Sequence, residues 1–373
     1  MVEAAPKTNR IGLTMADYKG SPSTLCDGCG HDAITSQIIR ACWDVGIDPH
    51  GVAKLSGIGC SSKTPAYFLS RSHGFNAVHG RMPSVATGVS MANKDLLLLA
   101  VSGDGDTASI GMGQFCHILR RNVPIVYVVE NNGVYGLTKG QFSATSEKGA
   151  RAKSGVFNEL PAIDLCSLAI ELGCGFVARS FAGDPKQLIA LLKAAMSHKG
   201  TALLDVISPC VTFNNHEGST KSYKYAKEHE IPLHELGYVG FYEQITVDYP
   251  PGSVQEVQLH DGARLTLKKL DQDYDPTSRE KAIATIHRAN EEHQFLTGLL
   301  YIDEEKENFT QIMHLHDKPL GLLDTAGFYQ QLGAFIEHIV ASGFVSAEHA
   351  RGIRIERDVS VLLDAFFSTT RAS

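Results

Sequence analysis

The stretch of sequence that decides the fold is residues 96–141, LLLLAVSGDGDTASIGMGQFCHILRRNVPIVYVVENNGVYGLTKGQ. Its first apolar run predicts a buried strand over Leu96–Ser102, which ends at the glycine and aspartate residues that follow. A helical pattern over Ser109–Arg121 comes next, and a second apolar run predicts a strand over Ile125–Glu130. A strand, a helix and a strand in this order indicate a parallel sheet that is covered by helices.

Strands and helices alternate in the same way from about residue 54 to residue 209, which predicts an α/β fold with a doubly wound parallel sheet. The further predicted strands are Ala53–Ile58, Asn76–Val78, Phe176–Phe181 and Ala202–Ile207, and the further helices are Ala33–Val45, Ser84–Asn93, Ile163–Leu172 and Pro185–His198. We expect residues 1–215 to form this domain. Residues 216–373 are expected to be a C-terminal extension that wraps around the core or a partner, with few regular elements in 214–275 and a helix within 323–345.

The composition is that of an ordinary globular protein, with 43% apolar and 20% charged residues. The net charge of −7 gives no electrostatic reason to bind nucleic acid. The apolar run is far shorter than the ~20 residues of a membrane helix, and the first ten residues lack the apolar core of a signal peptide. We therefore expect a cytoplasmic protein that binds no membrane, and in a reducing compartment its eight cysteines should bind metal or pack in the core.

Polar residues follow the two central strands at the points where the strands end. Asp104 and Asn132 can share one cation, because the ends of adjacent parallel strands lie roughly 5 Å apart. A carboxylate, an amide oxygen and the backbone carbonyl of Val134 suit Mg²⁺, which keeps phosphate oxygens as further ligands. Gly103 and Gly105 let the backbone approach a diphosphate, and the next helix aims its N–H groups at it. These residues predict a diphosphate–Mg²⁺ site.

A dinucleotide site is the rival interpretation. Gly103-x-Gly105-x-x-Ala108 matches the dinucleotide fingerprint, and Glu130 ends the next strand where a ribose-binding acid would lie. However, Asp104 would repel a pyrophosphate unless a metal ion lay between them. The dinucleotide interpretation also leaves Asn131-Asn132 unexplained, so the diphosphate–Mg²⁺ site is favoured.

The GDGD, RRN and NNGVYGLTKGQ motifs within residues 103–141 resemble those of the β subunits of 2-oxoacid:ferredoxin oxidoreductases, which are thiamine diphosphate enzymes. The resemblance extends across LCDGCGH (25–31), GIGCSS (57–62), HGR (79–81) and SPC (208–210), and it therefore covers roughly residues 20–215. Asp27 stands where the family's CPGCGH motif has proline. It lies between Cys26 and Cys29 of that motif, and both cysteines are kept. The resemblance implies the thiamine-diphosphate-binding type of α/β fold.

The resemblance also implies the roles of the site residues. The cluster ligands of a [4Fe–4S] centre would be Cys26, Cys29, Cys60 and Cys210. Contacts with thiamine diphosphate would come from Ile58, Gly59, Ser61, His79, Gly103, Gly105, Asp106, Gly136 and Leu137, and Mg²⁺ would bind to Asp104, Asn132 and Val134. A structural zinc site remains the alternative for the four thiolates. The other cysteines, interpreted as core residues, are Cys42, Cys116, Cys166 and Cys174.

Lys139 and Lys63 are the candidate catalytic residues for substrate and coenzyme A. Lys139 follows the metal loop, and its ammonium can meet a substrate carboxylate. A dicarboxylic 2-oxoacid needs a cation for its distal carboxylate, so Lys139 favours 2-oxoglutarate over pyruvate. The lysine can instead bind the carboxylate that every 2-oxoacid has, or be a solvated loop residue.

The resemblance implies a reaction and partners as well. A 2-oxoacid would lose CO₂ on thiamine diphosphate, electrons would pass singly through the cluster to ferredoxin, and coenzyme A would accept the acyl group; the route can run backwards to fix CO₂. The glutamate that activates the cofactor belongs to an α subunit, so the chain is expected to be inactive alone and to form an (αβ)₂ assembly. Two further hypotheses stay open: a non-redox thiamine enzyme with zinc, and an iron–sulfur electron-transfer module without catalysis.

Overall fold

The computed structural model describes residues 6–138, 140–150, 155–210, 244–259, 264–313, 320–343, 345, 350 and 352–369. The chain divides into two compact units, Met1–Thr310 and Gln311–Ser373. No helix in the described ranges combines the length and the apolar character that crossing a membrane requires.

The first unit is built on one large sheet. The strands of this unit are β1 (Val52–Ser56), β2 (His73–Asn76), β3 (Leu97–Gly103), β4 (Ile125–Asn131), β5 (Val134–Tyr135), β6 (Gln141–Phe142), β7 (Phe176–Phe181), β8 (Thr201–Ile207), β9 (Val254–Gln258), β10 (Arg264–Lys269) and β11 (Phe295–Ile302). Nine of them form the sheet in the order β2-β1-β3-β4-β8-β7-β11-β10-β9, and β5 and β6 form a separate antiparallel pair. The six strands from β2 to β7 pair in parallel, which confirms the predicted parallel sheet.

Helices cover both faces of this sheet, as the predicted doubly wound fold requires. The helices of the first unit are α1 (Gly30–Val45), α2 (Met82–Ala92), α3 (Met112–Arg121), α4 (Leu165–Glu171), α5 (Pro185–Ser197) and α6 (Arg279–Glu291), and a short helix α7 (Phe309–Ile312) follows β11. One core contains buried residues of α2, α3, α4 and α6, whereas the other contains those of α1 and α5. The central strands are therefore buried on both sides, which explains the continuous apolar runs of β3 and β4.

The helix predicted as one continuous element over Ser109–Arg121 is interrupted. Gly105–Ile110 forms a π-helical turn, and α3 begins only after Gly111. The N–H of Gly111 donates to the carbonyl of Asp106 at 2.8 Å, which closes the wider turn. A β-carbon on Gly111 would lie 3.0 Å from the Cα of Gly80, so the turn packs closely against a neighbouring loop. Such turns are frequent at functional sites.

Residues 214–275 contain more regular structure than the sequence analysis predicts. Strands β9 and β10 lie in this range, and with β11 they extend the large sheet beyond β7. Strand β10 alternates buried Leu265 and Leu267 with polar residues, whereas β9 is a largely exposed edge strand with a weak pattern. The predicted boundary at residue 215 falls in 211–243, outside the described residues, and the division into 1–215 and 216–373 stays a prediction.

The second unit is a small α/β arrangement. Strands β12 (Leu320–Leu323) and β13 (Ile353–Glu356) pair in parallel. Helix α8 (Gln330–Ala341) lies between them in sequence, within the range where a helix is predicted, and α9 (Val359–Thr369) follows β13.

Asn122 joins three parts of the first unit. It ends α3 in the left-handed conformation, with φ of 51°, and its side chain is fully buried. Its Oδ1 accepts from the N–H of Thr201 at 2.9 Å, and its Nδ2 donates to the carbonyl of Glu307 at 3.0 Å. Few other residues tolerate this backbone conformation as well as asparagine.

Asn122→Ala should therefore lower the free energy of unfolding by roughly 2–4 kcal/mol, because it leaves buried polar groups unpaired and adds backbone strain. Denaturant unfolding measures this loss. The matched control is Asn93→Ala, at the exposed end of α2, which should stay within about 0.5 kcal/mol of the parent. Equal losses at the two positions would contradict the role assigned to Asn122.

Candidate functional site

A cleft lies at the carboxyl ends of the central strands, where ligand sites of parallel sheets are found. It encloses about 520 Å³ of empty space, with its open mouth included, which is in the range of small-molecule sites. The residues that line it are His31, Ile58, Gly59, Cys60, Ser61, His79, Gly103, Asp104, Gly105, Asp106, Glu130, Asn132, Val134, Tyr135, Gly136, Leu137 and Thr138. The structure thus brings three sets of predicted residues together in one cleft: those for the diphosphate, those for Mg²⁺, and one of the four cluster ligands.

Asp104 follows β3 directly and is only 1% exposed. Its Oδ1 accepts from the backbone N–H of Asn132 at 3.2 Å, so the two residues predicted to share a cation are neighbours. Its Oδ2 accepts from the hydroxyls of Thr145, at 2.8 Å, and Ser143. Burial raises the pKa of the Asp104 carboxyl, and the hydrogen bonds from Ser143, Thr145 and Asn132 oppose that shift.

Asn132 and Val134 lie on the loop that enters the β5–β6 pair. Oδ1 of Asn132 accepts from the N–H of Val134 at 3.1 Å, which leaves this amide oxygen a second lone pair. Gly133 between them has φ of 74°, in the region that favours glycine. With the Asp104 carboxylate, these residues offer hard oxygen ligands of the kind that Mg²⁺ prefers.

Asp106 holds the loop that contains His79. Its Oδ1 accepts from the N–H of Gly80 at 2.7 Å, and its Oδ2 accepts from the hydroxyl of Ser102 at 3.0 Å. Both carboxylate oxygens thus bind within the protein, although Asp106 also lines the cleft. A β-carbon on Gly57 would lie 2.3 Å from Oδ2 of Asp106, so only glycine fits at that position.

The four predicted cluster ligands lie on loops that meet beside the cleft. The N–H of Gly30 donates to the carbonyl of Pro209 at 3.1 Å, which ties the Cys26–Cys29 loop to the loop of Cys210. A β-carbon on Gly136 would lie 3.6 Å from Sγ of Cys210 and 3.7 Å from Sγ of Cys60, so the missing side chain leaves space that both sulfur atoms face.

Two of these cysteines have raised pKa values. Burial, with smaller contributions from thiolate charge on Cys210 and Cys26, raises the pKa of Cys60 to about 11. Burial likewise raises the pKa of Cys29, with a further contribution from Cys210. A bound metal centre would favour the thiolate forms of Cys29 and Cys60, because metal cations offset thiolate charge.

All eight cysteines lie in the described ranges, and none of them forms a disulfide. A tetrahedral zinc site needs four thiolates at about 2.3 Å from one ion. In the part of the chain that the structure describes, no three His, Cys, Asp or Glu side chains are grouped to hold a single ion. Of the cysteines interpreted as core residues, Cys42, Cys166 and Cys174 are buried, while Cys116 is half-buried.

Glu130 and His31 form the buried floor of the cleft. Glu130 accepts from the hydroxyl of Thr64 at 3.0 Å, and Nδ1 of His31 lies 2.6 Å from Oγ of Ser208. Burial raises the pKa of Glu130 well above its usual range and lowers the pKa of His31 to about 4. Both shifts favour the neutral forms, so their approach at 3.7 Å is not a charged pair.

The two candidate lysines differ in what the structure describes. Lys63 lies on the 3₁₀-helix Cys60–Ala66, and its positive charge partly opposes the rise in the pKa of Cys60 that burial causes. Lys139 lies outside the described residues. Tyr135, Ser143 and Thr145 were not predicted as site residues, because tyrosine, serine and threonine in a loop have no distinctive spacing. Their position just after the NN motif is the signal that the sequence offers for them.

Comparison with known sequence families gives three matches. Residues 57–206 match "Thiamine pyrophosphate enzyme, C-terminal TPP binding domain". Residues 264–317 match the C-terminal part of the pyruvate ferredoxin oxidoreductase beta subunit, and the overlapping residues 298–366 match "Possible lysine decarboxylase". The first match contains the cleft, and the second contains β10 and β11, which extend the sheet.

Individual proteins give more extensive matches. The β subunit of a 2-oxoacid:ferredoxin oxidoreductase from a Sulfolobus species is 42% identical over 54% of this chain, and the match spans 66% of that relative, just under two thirds. The "2-oxoglutarate synthase subunit KorB" of Methanocaldococcus jannaschii is 35% identical over 57% of this chain and 80% of its own length. The 2-oxoglutarate:ferredoxin oxidoreductase structure from Magnetococcus marinus is 30% identical, with a TM-score of 0.64, over 89% of this chain and 94% of that one.

Gly105→Ala should disturb the cleft. A β-carbon there would lie 2.6 Å from the ring of Tyr135, whose hydroxyl donates to the carbonyl of Gly105 at 2.9 Å. The ring must move and this hydrogen bond is lost, so the free energy of unfolding should fall by roughly 1–3 kcal/mol.

Gly88→Ala is the matched control for that replacement. Gly88 is exposed in the middle of α2, and its added β-carbon would meet nothing within 4 Å. It should raise stability by about 0.5–1 kcal/mol. Denaturant unfolding compares the two variants, and an unchanged stability of Gly105→Ala would refute the close packing of Tyr135 against this glycine.

Proposed function

The chain belongs to the β subunits of the 2-oxoacid:ferredoxin oxidoreductases, and we propose that it supplies the thiamine diphosphate and [4Fe–4S] sites of such an enzyme. The proposed reaction is the CoA-dependent oxidative decarboxylation of a 2-oxoacid to an acyl-CoA and CO₂. Electrons leave one at a time through the cluster to ferredoxin. The reaction can also run in the direction of CO₂ fixation.

One observation carries this proposal: the segment of residues 132–138 borders both proposed sites. Asn132 lies beside Asp104 and accepts from the N–H of Val134, while Gly136 faces the sulfur atoms of Cys60 and Cys210. Residues 132 and 134–138 all line the cleft. A cofactor in the cleft and a cluster among the cysteines would therefore be close neighbours, as one-electron transfer between them requires.

The residues at the strand ends would bind the diphosphate end of the cofactor. Asp104, Asn132 and the carbonyl of Val134 would hold Mg²⁺, which offsets the phosphate charge. Gly103 and Gly105 would allow close approach of the backbone, while Ile58, Gly59, Ser61, His79, Asp106, Gly136 and Leu137 would surround the rest of the cofactor. When bound, thiamine diphosphate supplies the electron sink for decarboxylation.

The four cysteines would hold the cluster. Cys26 and Cys29 come from the loop before α1, Cys60 begins the 3₁₀-helix after β1, and Cys210 follows β8. Burial and neighbouring thiolate charge raise the pKa values of Cys29 and Cys60, and a [4Fe–4S] cluster with four thiolate ligands would offset that charge. When bound, the cluster supplies a one-electron acceptor.

We propose 2-oxoglutarate as the substrate, with pyruvate or a broader range of 2-oxoacids as the alternative. The support comes from the names of two similar proteins, the 2-oxoglutarate synthase subunit and the 2-oxoglutarate:ferredoxin oxidoreductase, the latter with 2-oxoglutarate, coenzyme A and succinyl-CoA bound. Lys139 is the proposed cation for the distal carboxylate, and Lys63 is proposed to contact substrate or coenzyme A.

The proposed partners are an α subunit of the same oxidoreductase and ferredoxin. The matched relatives are β subunits by name, which supports a partner chain. We propose an (αβ)₂ assembly in the cytoplasm, with activity only in the complex. The second candidate function is a non-redox thiamine enzyme, which predicts a chain with thiamine diphosphate but without iron; an electron-transfer module predicts iron without thiamine.

Replacing Cys26, Cys29, Cys60 or Cys210 by serine should abolish the visible absorption of the cluster and most of the bound iron after anaerobic purification. Each replacement removes one of four thiolate ligands. Cys116→Ser on α3 is the control and should keep the full signal, since that half-buried thiol lies outside the proposed ligand set. Iron analysis of the purified variants measures this loss. A full complement of bound iron in all four serine variants would rule out the proposed cluster.

A further inference from the structure

Two hydroxyl groups outside the predicted site hold the carboxylate of Asp104. Ser143 and Thr145 follow β6, and both donate to Oδ2 of Asp104, Thr145 at 2.8 Å. The two side chains also contact each other, with 2.9 Å between Oγ of Ser143 and Oγ1 of Thr145. The N–H of Thr145 donates to Oγ of Ser143 at 3.2 Å, which fixes the pair in this arrangement.

These contacts load the two oxygens of the Asp104 carboxylate unequally. A carboxylate has about four lone-pair positions on its two oxygens. The two hydroxyls occupy those of Oδ2, and the N–H of Asn132 occupies one on Oδ1. Asp104 also lines the cleft, and Oδ2 already accepts two hydroxyls, so Oδ1 is the oxygen better suited to bind a cation there.

Thr145 donates its single hydroxyl proton to Asp104 and contacts Asn131, a residue at the end of β4 that is itself held by a buried network. Oγ1 of Thr145 lies 3.0 Å from Oδ1 of Asn131, the first asparagine of the NN motif. Nδ2 of Asn131 donates to Asp205 at 2.9 Å, and Asp205 forms a buried ion pair with Arg179 at 2.9 Å. Side chains that are locked by such networks keep a precise orientation.

We infer that Ser143 and Thr145 are positioning residues of the metal site, which turn the Asp104 carboxylate so that Oδ1 faces the cation of the diphosphate site. This inference rests on the proposed function, since it concerns the Mg²⁺ of that site. The alternative is that the hydroxyls only satisfy a buried carboxylate. That alternative predicts a loss of stability in their absence but no specific change in cation affinity.

The experiment uses the full-length chain in complex with its α subunit, stripped of cofactor. Isothermal titration calorimetry with MgCl₂ at saturating thiamine diphosphate gives the dissociation constant for Mg²⁺. Ser143→Ala and Thr145→Val should each weaken Mg²⁺ binding about tenfold, because each removes a hydrogen bond to a charged group. Thr145→Ser keeps the hydroxyl and should bind Mg²⁺ within about twofold of the parent.

Ser109→Ala is the matched control. Oγ of Ser109 accepts from the N–H of Ala144 at 3.0 Å, between the two hydroxyl residues, whereas the donors to Asp104 are other residues. This variant should keep the parental Mg²⁺ affinity. A thermal unfolding scan without ligand identifies any variant that fails to fold, and the two single variants are interpreted separately.

Unchanged Mg²⁺ affinity in folded Ser143→Ala and Thr145→Val would overturn the inference, as would equal weakening by Ser109→Ala. Asp104→Ala serves as the reference for the complete loss of the ligand. If the parent complex binds no thiamine diphosphate at any Mg²⁺ concentration, the proposed function is wrong. If the parent binds thiamine diphosphate and the variants bind Mg²⁺ as tightly as the parent does, only the inference about Ser143 and Thr145 is wrong.

Discussion

The parallel pairing of β3 with β4 is the constraint on which the site depends. It places Gly103 opposite Glu130, so that the residues after both strands leave the sheet at the same edge. Asp104 and Asn132, 28 positions apart, thereby come within one hydrogen bond of each other. The burial of both strands between two layers of helices makes this register strongly specified.

The neighbouring strands bring the remaining chemistry to the same edge. Strand β1 pairs with β3 and leads into the loop of Cys60, while β8 pairs with β4 and leads towards Cys210. The Cys26–Cys29 loop has no strand of its own and depends on the contact between Gly30 and Pro209. The thiols and the strand-end oxygens therefore meet through sheet order, although they are far apart in sequence.

Much of the fold could be predicted because the central strands are continuous apolar runs; the strand Phe176–Phe181 matches its predicted boundaries. The π-helical turn over Gly105–Ile110 could not be predicted from the sequence, because it depends on the close approach of the loop at Gly80. The role of Ser143 and Thr145 was invisible for a related reason: a hydroxyl has no characteristic spacing, and its partner Asp104 lies about 40 positions earlier in the chain. Strand β9 escaped prediction because an exposed edge strand has little apolar signal.

The central claim is that one chain holds a thiamine diphosphate and an iron–sulfur cluster at adjoining places. Metal and thiamine analysis of the anaerobically purified chain, in complex with its α subunit, tests this most directly. We expect about four iron atoms and one thiamine diphosphate for each copy of this chain, with Mg²⁺ but no stoichiometric zinc. Zinc in place of iron, or iron without thiamine diphosphate, would contradict it.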